Sequence, residues 1–203
     1  RSEVILEFPN NLYDLPLIVK GLRQINNDES RADLIALYDK NTDLTTRREI
    51  AEALAGIATP KESRFLAGLL SSRIAAQDEG IRYMAAVGVG RIGGSEAVKA
   101  LADAAYKMEP AGRHVVAKAL GITRDASAVP VLFRLYEDGD NLAQDSVCGA
   151  LQTLTHHQWC DGSGDVTRQV ATWKRWWQLN AAKVRIYGTD ACPEPGAQLP
   201  LVR

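Results

Sequence analysis

Leu22-Arg23-Gln24-Ile25, Leu54-Ala55-Gly56-Ile57, Val89-Gly90-Arg91-Ile92, Leu120-Gly121-Ile122-Thr123 and Leu151-Gln152-Thr153-Leu154 are one phrase written five times. Their first residues lie 32, 35, 31 and 31 positions apart. Twelve residues after each of the first four stands a further leucine: Leu34, Leu66, Leu101 and Leu132. A period in this range marks a stacked array, in which each unit buries its apolar face against the next.

Each unit reads as two helices. The first carries small and apolar residues at helical spacing, as in Ile50, Ala51, Leu54 and Ile57, matched one unit later by Met84 (displaced by one), Ala86, Val89 and Ile92. The second helix carries Phe65, Leu66, Leu69 and Leu70. Thr59-Pro60-Lys61-Glu62 places a capping threonine before a proline and a glutamate. Thr46 with Glu49 forms a similar pair, and Ser95 and Ser127 are expected to cap later second helices. Pro110 opens another helix, while Gly93-Gly94 and Asp138-Gly139-Asp140 mark turns.

Seven residues before the repeat leucine or valine stand Arg47, Arg82, Arg113 and Gln144. Four residues before each of these is an acid: Asp43, Asp78, Glu109 and Asp140. Acid and base at this spacing support a helix start modestly, and the acid suits the positive end of the helix dipole. The recurrence predicts a structural ladder of charge contacts between neighbouring units. A row of anion-binding arginines is the alternative, and it needs the arginines exposed.

The chain has 203 residues, 46% of them hydrophobic, enough for one sizeable folded unit. The repeats run almost end to end, so residues 1–203 are expected to form a single array. The formal net charge of -1 argues against bulk electrostatic attraction to nucleic acid or anionic membrane. No apolar run approaches the roughly 20 residues that span a bilayer. The chain opens on Arg1 with no visible signal peptide, as expected of a processed or truncated chain. Three cysteines are too few for a disulfide framework.

The stretch from Arg82 to Leu101, through Ala85-Ala86, Val89-Gly90-Arg91-Ile92-Gly93 and Ala97-Val98, resembles the HEAT repeat. More narrowly, it is similar to the short bacterial type called phycobilisome-lyase-like. Arg113 to Leu132 fits nearly as well, through Leu120-Gly121 and Ala128-Val129-Pro130, while the first unit lacks the arginine. The resemblance covers about residues 12–155 and implies an all-α, right-handed α-α superhelix of about five helix pairs. Leu154-Thr155 followed by Trp173 and Trp176-Trp177 is similar to the ending of such bacterial proteins. It implies a C-terminal capping helix at about 166–182, with an irregular tail at 183–203.

Few residues suggest chemistry. His156-His157-Gln158-Trp159-Cys160-Asp161 contains metal-ligand types, but adjacent histidines point apart and no second ligand pair is near, so no metal is expected. Asp161-Gly162-Ser163-Gly164-Asp165 alternates oxygens as calcium loops do, yet Val166 replaces the required glycine and Thr172 the closing acid. A turn capped by Asp165 is the expectation. Cys148 occupies the slot of Ala51, Ala86 and Ala117 and reads as a small packing residue. Cys160 and Cys192 flank the last helix, where a bond between them would staple the tail and mark an oxidising compartment. A catalytic Cys160 served by His156 or His157 lacks any orienting partner. In the last helix, Arg168, Lys174, Arg175 and Lys183 interleave with Trp173, Trp176 and Trp177. That composition suits single-stranded nucleic acid, but the tryptophans share the helical face that a cap must bury. Glycines 88, 90, 93 and 94 lie in and after a helix, and no phosphate loop follows a strand. No cofactor is expected.

The expectation is a non-catalytic scaffold that binds a protein partner on a curved helical face. The resemblance implies that second helices line the inner curve, which selects Tyr38, Arg64, Lys99, Tyr106, Arg134 and Tyr136 as the binding set. The alternatives are nucleic-acid binding through a basic face and, from the resemblance, a bilin-lyase-like accessory subunit. Nucleic acid is disfavoured, a monomer is expected, and an exported location is slightly favoured over the cytoplasm.

Overall fold

The computed structural model describes residues 15–138, 140–156 and 166–182. Every regular element among them is helical. The order is α1 (Leu15–Ile25), α2 (Asp28–Lys40), α3 (Leu44–Ile57), α4 (Ser63–Leu70), α5 (Arg73–Gln77), α6 (Glu79–Ile92), α7 (Gly94–Lys107), α8 (Arg113–Gly121), α9 (Ala128–Asp138), α10 (Asn141–Thr155) and α11 (Val166–Asn180). This is an all-α solenoid. Its complete pairs are α1/α2, α3/α4, α6/α7 and α8/α9. The first helix of the fifth unit, α10, packs on α11. The expected fifth pair and the expected capping helix thus share one element, α11.

The repeat leucines form the spine. Leu54, Val89, Leu120 and Leu151 are fully buried, as are Leu34, Leu66, Leu101 and Leu132 on the second helices. Their burial in every unit supplies the hydrophobic drive that isolated helices of this length lack.

Small residues let the first helices approach closely. A β-carbon on Gly88 would stand 3.0 Å from the Cα of Ala55, and one on Gly90 would stand 2.6 Å from the carbonyl oxygen of Ala119. At every step of the array, consecutive first helices contact one another more extensively than consecutive second helices do. The small residues at this seam are the physical reason.

Helix starts differ from the sequence reading in several places. The box of Thr59 and Glu62 forms: Thr59 donates its N–H to Oε2 of Glu62 at 2.8 Å. Asp43, and not Thr46, caps α3, accepting from the Thr46 N–H at 2.7 Å. Asp78 and Asp140 cap α6 and α10 in the same way. Gly93, with φ 72°, precedes α7, so Ser95 is no cap. Ser127 donates its N–H and hydroxyl to Asp125 in the turn before α9.

Three of the four acids at the i, i+4 spacing, Asp43, Asp78 and Asp140, are therefore helix caps, and the basic residues turn elsewhere. Arg47 Nε donates to the carbonyl of Tyr38 at 3.3 Å, Arg113 Nε to Ala105 at 3.2 Å, and Gln144 Nε2 to Tyr136 at 3.2 Å. Each acceptor lies two residues before the end of the preceding second helix. Such carbonyls have no partner within their own helix, and a cation there also suits the dipole. Arg82 departs from the rule because α5 separates it from the end of α4. It is buried, and it reaches forward to Glu109 Oε1 at 2.7 Å across the backbone of Gly112. The ladder is structural. Arg82 at 6% exposure cannot take a solute anion.

Candidate functional site

Two exposed strips run the length of the array. On the second helices the residues two before, two after and five after the core leucine are exposed in all four units. They are Ala32, Ala36 and Asp39, then Arg64, Gly68 and Ser71, then Lys99, Asp103 and Tyr106, then Pro130, Arg134 and Glu137. Four of the six expected binding residues lie on this strip: Arg64, Lys99, Tyr106 and Arg134. None of these four makes a hydrogen bond or ion pair with any described residue.

The other two, Tyr38 and Tyr136, are corrected. Tyr38 is 2% exposed, edge-on to Phe65 at 5.6 Å, with the Arg47 guanidinium 5.3 Å from its ring centre. Burial holds its phenol above the ordinary value. Tyr136 is 8% exposed and donates its hydroxyl to Thr167 of α11 at 3.0 Å. Each follows its core leucine by four residues, and that spacing returns a side chain to the buried stripe.

The other strip lies on the first helices. Six residues before the repeat leucine or valine stand the exposed Arg48, Tyr83 and Asp145 and the buried His114, and two before it the exposed Glu52, Lys118 and Gly149 and the half-buried Val87. Tyr83 is 43% exposed, and Leu142, one turn before Asp145, is 51% exposed. Arg48 pairs with Asp78 of the next unit at 3.6 Å. His114 is buried between Glu79, at 3.1 Å from its Nε2, and the carbonyl of Ala111, at 2.9 Å from its Nδ1. Sequence reasoning did not select Tyr83 or Leu142. The signal for both was an apolar residue on the polar side of an otherwise regular helix.

The last helix is committed to packing. Trp173 is fully buried and meets Trp176 edge-on at 6.0 Å, while Trp176 and Trp177 are partly buried. Lys174 pairs with Glu137 and lies 5.9 Å from the centre of the Phe133 ring. Arg168 also has an intramolecular partner. These residues do not form a free basic and aromatic track.

Cys148 is buried at 5% exposure, as its alanine slot requires, but it is bonded in a disulfide and is not the thiol expected. Cys160, Cys192, His157 and the Asp161–Asp165 loop lie outside the described residues. His156 ends α10 in the left-handed conformation, at φ 57°. Among the described residues no three His, Cys, Asp or Glu side chains form a metal-binding group. No described helix is long and apolar enough to cross a membrane.

A family model described as HEAT repeats matches residues 69–152. It carries nothing of the narrower phycobilisome-lyase-like kind. Among curated proteins there is no match. A solved structure of human deoxyhypusine hydroxylase in complex with glycerol is 17% identical, covers 85% of this chain and 82% of that one, and has a TM-score of 0.32. The sequence-based expectation that the chain is no enzyme is corrected here, because a structure similar to it is that of a hydroxylase. At that score the likeness assigns no chemistry to this chain. Residues 69–152 are thus similar to HEAT repeats, modules that generally mediate protein interactions.

Proposed function

We propose that the chain binds a protein partner along the solvent-facing side of its first helices. The exposure of Tyr83 and Leu142 on that face carries this reading. Both are large apolar side chains left in water, where a partner would bury them. Tyrosine is a frequent energetic anchor in interfaces. Arg48, Glu52, Lys118 and Asp145 supply a polar rim of mixed sign.

The second-helix strip is the second reading, favoured by the uncommitted side chains of Arg64, Lys99, Tyr106 and Arg134. Three of these are cations, so this strip is also where a nucleic-acid partner would bind.

Immobilised protein tests both readings against native extract, with and without nuclease. Paired variants are Tyr83→Ala with Leu142→Ser, and Arg64→Glu with Lys99→Glu and Arg134→Glu. Nuclease-resistant capture of one stoichiometric protein, lost only in the first variant, is the expected result. Loss only in the second moves the site to the second helices. Capture that disappears with nuclease and weakens steeply with salt overturns protein recognition in favour of nucleic acid.

A further inference from the structure

We propose that copies of this chain stack head to tail, the α1/α2 end of one docking on the α11 end of the next. The three most exposed large apolar side chains among the described residues all lie on the two terminal helices. They are Leu179 at 72%, Leu17 at 68% and Ile25 at 61%. On α1, Leu17 and Ile25 flank Gly21 at i, i+4 and i+8, so they share one stripe. That stripe turns away from the second unit, because the opposite side of α1 carries Arg23, which lies over Gly56 of α3. A preceding repeat would cover it, and α1 is the first described helix.

Charge names the occupant. On α2, Asp28 reaches Lys61 of the second unit, while Glu29 and Asp33, one turn apart, lie around the helix from it and pair with no described residue. The N-terminal end thus joins two apolar side chains to two uncommitted carboxylates. The other end is its complement. On α11, Thr167 and Lys174 face α9 through Tyr136 and Glu137, and Gln169 faces α10 through Cys148. Thr172, Arg175 and Leu179, at i, i+3 and i+7, form the stripe left in water. Arg175 pairs with no described residue, and α11 contains no acid. Leu179 packed between Leu17 and Ile25, over Gly21, brings Arg175 toward Glu29 and Asp33. A formal net charge of -1 leaves little repulsion between copies. Joining two different faces makes the contact heterologous, so it propagates into a filament or closes as a ring.

Sedimentation velocity of the full chain over a wide concentration range tests this. The parent is expected to gain mass with concentration. Ile25→Asp and Leu179→Asp are each expected to weaken self-association about 10- to 100-fold. A parent that stays monomeric throughout overturns the proposal. So does loss from one end only, which marks a symmetric contact of that end with itself. Loss in the Tyr83→Ala, Leu142→Ser variant overturns it too, by moving the contact to the first helices. A charge swap gives a readout that a folding defect cannot imitate. One variant carries Glu29→Lys with Asp33→Lys, the other Arg175→Glu. Each alone is expected to stay monomeric, since like charges then meet at the junction, and their mixture is expected to assemble. A mixture that remains monomeric overturns the pairing of these two ends.

Discussion

A β-carbon added to Gly121 would stand 2.9 Å from the Cα of Ala150, closer than any neighbouring backbone tolerates. This contact joins α8 and α10 at the seam between first helices. Gly121→Val is expected to force the helices apart and cost about 1–3 kcal/mol. Urea unfolding measures it. An unchanged midpoint would show that the helices are not in backbone contact.

Arg113 and Gln144 do the same work with different side chains, each donating to the end of the preceding second helix. Arg113→Gln is therefore expected to retain more stability than Arg113→Ala, which leaves the Ala105 carbonyl short of a donor. The alanine variant is expected to lose about 1–2 kcal/mol. Equal loss in the two variants would mean that charge, and not the hydrogen bond, is what counts.

Trp173 is the buried member of the tryptophan trio. Trp173→Ala is expected to cost about 3–5 kcal/mol. Trp176→Ala, at a partly exposed ring, is expected to cost about 1–2 kcal/mol. Denaturant midpoints of the two variants decide the order, and a reversed order would contradict the packing of α11.

Acid is expected to loosen the array. The Thr46 backbone N–H and hydroxyl hold the Asp43 carboxylate below its usual range. Hydrogen bonds from its own backbone N–H and from Arg82 lower Glu109, against the smaller opposing effect of burial. Folded values below the unfolded ones mean stability that is complete above about pH 4.5 and lost as pH falls through the folded values. The urea midpoint should stay level from neutral pH to about pH 4.5 and fall below it. Asp43→Asn should flatten part of that fall; an identical acid limb would rule out Asp43 as a contributor.

The period of the repeat phrase, the buried leucines and the box at Thr59 were legible because each depends on spacing within a single helix. Tyr38 and Tyr136 were misplaced although their distance of four residues from Leu34 and Leu132 marked them as inward-facing. Tyr106, at five residues from Leu101, falls on the exposed strip of the second helices. The acids of the apparent charge pairs could have been read as caps, since Asp43, Asp78 and Asp140 each stand directly before a helical run. The bonded state of Cys148 was not legible, because spacing within one helix says nothing of where a sulfur finds its partner.

The donors that finish the second helices belong to the following unit in three of the four cases. A gene that gains or loses one whole repeat therefore leaves no helix end without its donor, since each unit brings what its predecessor needs. The junction at α5 is the exception. Arg82 there looks forward to Glu109, so a duplication ending at that point would strand it. Lengthening of this chain by recombination is thus favoured from α6 onward and hindered before it.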